Sequence, residues 1–171
     1  GWKLISNLGR SQGSLLEAET PGAQWSCPFY LTQGGDFVLE LHRFPTLCSV
    51  GRIRIGISVD NGEMNVFESQ STDEHRANWK HNILNNVDKL TGCFTGLAAG
   101  LHSLTFTAID PYVSFTRAVL YDEKSEAGKQ LSCQLTSPAK LVDGAYKRSN
   151  LGIVLSNPEC EMLPKNIDLD A

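Results

Sequence analysis

Between Arg52 and Asp60 every second residue is a branched aliphatic, so that Ile53, Ile55, Ile57 and Val59 alternate with Arg52, Arg54, Gly56 and Ser58. A period of two puts the aliphatic set on one side of an extended strand and the polar set on the other, a sorting no helix achieves. The pattern recurs where Phe37, Leu39 and Leu41 alternate with Val38, Glu40 and His42, and where Leu104, Phe106 and Ala108 alternate with Ser103, Thr105 and Thr107. Half-buried strands need neighbours in a sheet and a second layer against their apolar side. Asp60-Asn61-Gly62-Glu63 supplies an Asn-Gly pair, which tolerates positive φ at both hairpin positions and leads to a strand around Val66 and Phe67. Gly34-Gly35-Asp36 and Asp110-Pro111 read as further turns. The expected fold is all-β, an antiparallel β-sandwich of jelly-roll type. Regular alternation of strands with helices, which a doubly wound nucleotide-binding sheet demands, is missing.

Two segments resist that pattern. From Ala77 to Leu90, Trp79, Ile83, Val87 and Leu90 recur at three- and four-residue intervals, which predicts a helix, while the adjacent Ile83-Leu84 also suits a strand entered from a loop. After Tyr121, a charged link from Asp122 to Lys129 precedes two stretches that read as late strands, Leu131-Cys133-Leu135 and Leu151 to Leu155. The 171 residues suit one domain, 1–171, with room for a core that needs no staples.

Charge narrows the partners. Fifteen basic residues against 19 acidic give a net charge of -4, and no Lys/Arg block could neutralise a row of phosphates, which argues against nucleic acid. No apolar run reaches the roughly 18 residues a membrane helix needs, and Gly1-Trp2-Lys3-Leu4 lacks the shape of a signal peptide. The five cysteines, Cys27, Cys48, Cys93, Cys133 and Cys160, form no Cys-x-x-Cys pair and are odd in number. They are expected as core thiols rather than a zinc site, with one or two disulfides left open.

Catalytic signatures are sparse. There is no Gly-x-Ser-x-Gly elbow, His-Glu-x-x-His pair or phosphate-binding Gly-x-x-x-x-Gly-Lys, and no cofactor is implied. His42, His75, His81 and His102 fall on different elements and read as structural. Asp60, Glu63 and Asp110 sit at turns, where carboxylates ordinarily serve the turn itself, and calcium there is the lesser alternative. The best material for a binding site is the stretch from His75 to Asn86, where Arg76, Trp79, Asn82, Asn85 and Asn86 set an indole among amides and a cation; Tyr112 is a further candidate. Sugars stack apolar C–H faces on aromatic rings while their hydroxyls bond to amides, so the mixture fits a carbohydrate. The favoured alternative is structural, with Trp79 plugged into the sandwich core and the amides holding turns.

In their order, several motifs then form a familiar series: Trp2 with Leu8-Gly9-Arg10-Ser11, Phe37 to Leu41 running into Phe44-Pro45-Thr46, and Arg52 to Asp60. Trp79 with Ile83-Leu84-Asn85-Asn86, Gly100-Leu101-His102-Ser103-Leu104, Asp110-Pro111 and Val119-Leu120-Tyr121 complete it. From Trp2 to Asp122 the succession resembles the C-terminal β-sandwich domain of glycoside hydrolase family 115, whose full-length members are α-glucuronidases acting on glucuronoxylan. The resemblance implies an accessory domain without catalytic residues of its own, in a secreted or periplasmic enzyme. The implied partner is the parent's catalytic domain, with xylan or another plant-wall glycan and a second copy in a homodimer as further possibilities. Residues 123–171 fall outside the resembled pattern.

Overall fold

The computed structural model describes residues 1–8, 14–46, 52–69, 77–122 and 124–125, together with the backbone of 153–155 and 160–162. Two sheets pack face to face. The first runs β1 (Trp2–Ser6), β2 (Ser14–Ala18), β9 (Val113–Asp122), β4 (Gly35–Arg43) and β7 (Asp88–Leu97), and the second runs β3 (Gln24–Leu31), β8 (Gly100–Ala108), β5 (Arg54–Val59) and β6 (Asn65–Glu68). These pairings are antiparallel. Late in the chain, β10 (Ile153–Leu155) adds to β9 in parallel and β11 (Cys160–Met162) adds to β3 antiparallel. The result is the antiparallel β-sandwich that the period-two segments predict. The other late segment, Leu131-Cys133-Leu135, lies outside the described residues.

The interior is an aromatic cluster ringed by aliphatics. Phe106 of one sheet stacks on Phe115 of the other with centroids 4.8 Å apart, and Trp25 leans on both rings. Phe29, Leu39, Leu41, Ile55, Ile57, Leu104 and Leu120 fill the space around them. Trp2 meets Phe115 edge-on at 5.5 Å, and its indole N–H donates to the carbonyl of Ala23 at 3.2 Å, which ties β1 to the start of β3. Gly92 on β7 is required for this closure, because a Cβ there would strike the Phe67 ring from the opposite sheet.

Three local expectations change. The strand β4 is not half-wet. Its Val38, Glu40 and His42 are buried like Phe37, Leu39 and Leu41, so both faces of this strand are covered. On that second side Val38, Val119 and Tyr121 cluster, the Tyr121 hydroxyl donates to Glu40 Oε1 at 3.1 Å, and Lys89 Nζ reaches Glu40 Oε2 at 2.6 Å. In the β5–β6 hairpin the positive φ angles fall on Asp60 (53°) and Asn61 (59°), one residue earlier than the Asn-Gly pair suggests. The Gly62 N–H closes that turn onto the Val59 carbonyl.

The helix is real but short. Helix α1 (Ala77–Asn85) stops before Val87 and Leu90, which belong to the approach and body of β7. Asn86 adopts φ 52°, its N–H bonds to the carbonyl of Ile83, and the Val87 N–H bonds to that of Asn82. This pair of bonds around a left-handed residue is a Schellman termination. The helix buries no side chain fully, and Leu84 is 86% exposed.

Candidate functional site

What holds a surface helix with no buried apolar face is a polar hub at Asp88. Its Oδ2 accepts from Arg43 Nε at 2.9 Å and from the Ser69 hydroxyl, and its Oδ1 accepts from Asn82 Nδ2 at 2.9 Å. Arg43 in turn donates from Nη1 to Thr46 Oγ1 and from Nη2 to the Thr46 carbonyl, both at 2.9 Å. Four segments thus meet at one carboxylate: the end of β4, the residue after β6, the helix and the start of β7. Arg43, Ser69 and Asp88 are all buried, so the charge pair is largely dehydrated and depends on these hydrogen bonds for compensation.

Beside this hub, α1 and the sheet edge enclose a shallow polar cleft of about 420 Å³, lined by Glu68, Asn78, His81, Asn82, Lys89 and Thr91 among others. A second hollow of about 310 Å³ continues past Asn85 and Val87 and shares His81, Asn82 and Lys89. An imidazole, several amides, an ammonium and a carboxylate thus line one groove. Such a set can donate to and accept from hydroxyls. Among the described residues no pair of unengaged carboxylates faces across it, since Asp88 is consumed by Arg43, Ser69 and Asn82.

The residues singled out from sequence fare unevenly. Asn82 and Asn85 do line the hollows, yet Asn82 anchors the helix to Asp88, and Asn85 Nδ2 donates back to the His81 carbonyl at 2.9 Å. Asn86 is the residue that ends the helix. Trp79 is half-buried rather than inserted in the core; its indole Nε1 is covered, without a hydrogen-bond partner among the described residues. Tyr112 lies elsewhere, exposed at φ 58° in the β8–β9 turn, and lines neither hollow. Arg76 lies outside the described residues. His81, Lys89 and Asp88 carry most of the cleft's character. His81 lies in the stretch singled out from sequence, but no pattern marked Asp88 or Lys89, because their charged partners, Arg43 and Glu40, are 45 residues or more away in the chain.

The Gly-Leu-His-Ser-Leu motif gains a structural explanation. His102 Nδ1 sits 2.6 Å from Asp60 Oδ2 and Nε2 sits 2.8 Å from the Ala98 carbonyl, while the ring stacks on Phe29. The Ser103 N–H donates to Asp60 Oδ1 at 2.8 Å. With an acceptor at each ring nitrogen, the doubly protonated imidazole is favoured. Burial pushes the ring's pKa down, but Asp60 and the Ala98 carbonyl outweigh it and the net shift is upward. This clamp joins the β5–β6 hairpin to the loop before β8.

Among the described residues no group of three or more His, Cys, Asp or Glu side chains could hold a metal ion, and no helix is long and apolar enough to cross a membrane. Cys27 is a buried core thiol whose pKa burial pushes up to about 11, whereas Cys93 is exposed, against the expectation of core thiols.

The profile of the glycosyl hydrolase family 115 C-terminal domain matches residues 1–129, and the chain belongs to that family. A solved family GH115 4-O-methyl-α-glucuronidase with specificity for decorated arabinogalactans superposes with a TM-score of 0.59 at 20% identity. The match covers 67% of this chain and 15% of that enzyme. An exo-β-1,3-galactanase variant from Phanerochaete chrysosporium, solved with β-1,3-galactotriose, gives a TM-score of 0.50 at 18% identity, over 67% of this chain and 24% of that one. A family 35 carbohydrate-binding module from Cellvibrio japonicus matches at 0.46 and 11% identity, over 67% of this chain and 79% of the module. At these identities the likeness is one of fold. No curated protein matches the sequence.

Proposed function

We propose that this chain is a non-catalytic accessory domain of a family 115 α-glucuronidase, secreted or periplasmic, with a structural or assembly role beside the catalytic domain of an enzyme acting on glucuronoxylan. The observation that carries this reading is the use made of the indoles. Trp2 and Trp25 pack on the sandwich core, and Trp79 is half-buried with its N–H covered, so each indole is at least partly committed to the fold, which supports a structural use over a sugar platform. Among the described residues the groove beside α1 holds no free pair of carboxylates for acid and nucleophile, which glycoside hydrolysis needs. The test is turnover of aldouronic acids and aryl glucuronides by the purified chain. None is expected, and activity that one carboxylate substitution in this chain abolishes would overturn the accessory role.

A second reading keeps the domain as a carbohydrate-binding module for plant-wall glycan. It is supported by the His81, Asn82 and Lys89 groove, whose donors and acceptors suit hydroxyls. Titration with xylan fragments separates the two, because groove binding would be lost in His81→Ala while folding stays intact.

A further inference from the structure

The outer face of the second sheet is used by neither the core nor the groove. Its outward positions stand in register, with Tyr30 opposite Leu101, Ser26 opposite Thr105 and Thr105 opposite Ser58, and Gly56 opposite Val66. Along β3 from Gln24 to Tyr30, β8 from Leu101 to Thr107, and the facing parts of β5 and β6, no outward position carries a charge, although 20% of the chain is charged. Among the described residues charge returns at the margins: Asp60 at one end, Arg54 with Glu68 at the other, and Glu161 of β11, which pairs with Tyr30 along the β3 edge.

Apolar side chains stand out of this face. Leu101 is 67% exposed, Val66 54%, Met64 45% and Tyr30 38%. Met64 lies across Gly56, where a Cβ would collide with it, so a flexible thioether levels the surface. Of the hydroxyls between them, those of Ser26 and Thr105 pair at 2.9 Å and that of Thr107 accepts from Gln24 Nε2 at 3.4 Å, which leaves those of Ser58 and Ser103 without a bond among the described residues. Covering such a face strips water from few unsatisfied groups, so an apolar partner suits it. A glycan would want several open aromatic plates, and among the described residues Tyr30 is the one ring on this face.

We infer that this face is the surface by which the domain docks against an uncharged, apolar patch on the rest of its parent glycosidase chain, an assignment that rests on the accessory reading above. Size agrees. Strands about 4.8 Å apart with outward residues every 6.8 Å or so make the uncharged area roughly 400 Å². Interfaces between domains of one chain bury about 300 to 750 Å² per side, whereas stable association of free partners takes about 800 Å² each.

Hydroxyl-radical footprinting read by mass spectrometry tests it on the full-length parent polypeptide and on this chain alone. Met64, Leu101 and Tyr30 should oxidise roughly tenfold more slowly in the parent, the loss of solvent access expected at an interface core, while Tyr112 reacts alike in both. Leu101→Lys in the parent should return Met64 to the rate seen in the chain alone. Equal rates for Met64 and Leu101 in both proteins would overturn the inference. So would protection that appears only with added xylo-oligosaccharide, which means a glycan occupant, or only with rising concentration of this chain, which means a second copy. If the parent shields His81 or another surface instead, the assembly role stands and this face is wrong; if it shields nothing, both fall.

Discussion

In the sandwich interior, Phe106 stacks on Phe115 and every neighbour is apolar, whereas the nine residues of α1 bury no side chain fully and reach the fold through Asn82, Asp88 and the turn at Asn86. Both segments showed apolar periodicity. In one it reports burial. In the other it reports nothing, since Ile83 and Leu84 point to solvent. Apolar contact is non-directional and adds up over area, so losing one contact is graded. A hub of buried charge behaves differently: remove one partner and the rest are left unsatisfied.

The sharpest way to break this comparison is Asp88→Ala. It leaves the Arg43 guanidinium buried without its carboxylate and frees Ser69 and Asn82, so unfolding by urea should show a loss of about 3 to 5 kcal/mol. A loss under about 1 kcal/mol, in the range of exposed pairs, would mean that the hub is hydrated and that apolar contacts hold α1 after all. Trp79→Ala comes next. A half-buried indole outside the core should lose about 1 to 2 kcal/mol, by the area it removes from water. Asn82→Ala should lose about 1 kcal/mol for its bond to Asp88, and hydrogen exchange should speed up in α1 while the Phe106 amide of β8 stays protected.

Smaller still is the effect of pH on the His102 clamp. Its folded pKa is raised, so its contribution is fully present below the unfolded histidine value of about 6.5 and is lost as pH rises through the folded value. Asp60 is half-exposed and works the other way. Burial pushes its pKa up, but His102 and the Ser103 N–H outweigh that and lower it, so its contribution holds above the ordinary aspartate value and fades as pH falls through the folded one. Thermal midpoints should therefore decline from pH 6 toward alkaline pH more steeply in the native chain than in His102→Gln. Parallel profiles would show that the ring is not charged in the fold. At the bottom of the scale, Leu84→Ser should leave the midpoint unchanged, because the side chain is already in water.

Sequence alone settled the element types wherever one physical cause dominated. The alternation in β5 and β8, and the turn at Asp110-Pro111, follow from the pleat and from local backbone preference, and they place a sandwich without reference to distant residues. The ordered run of weak motifs identified the family for the same reason, since spacing along a chain is itself local information. What only the tertiary structure decided are properties of position in the assembled sheets. That β4 is buried on both sides depends on what packs over each face of its sheet, which alternation within one strand cannot report. Asn82 serves as a strut because Asp88 is claimed by Arg43, 45 residues away in sequence. Tyr112 stands apart from the other candidate residues because the β8–β9 turn and the β7 edge belong to different parts of the sheets. Hydrogen bonds and buried charge pairs need donors and acceptors within about 3 Å of each other, and a linear pattern cannot report which distant groups the fold brings to that distance.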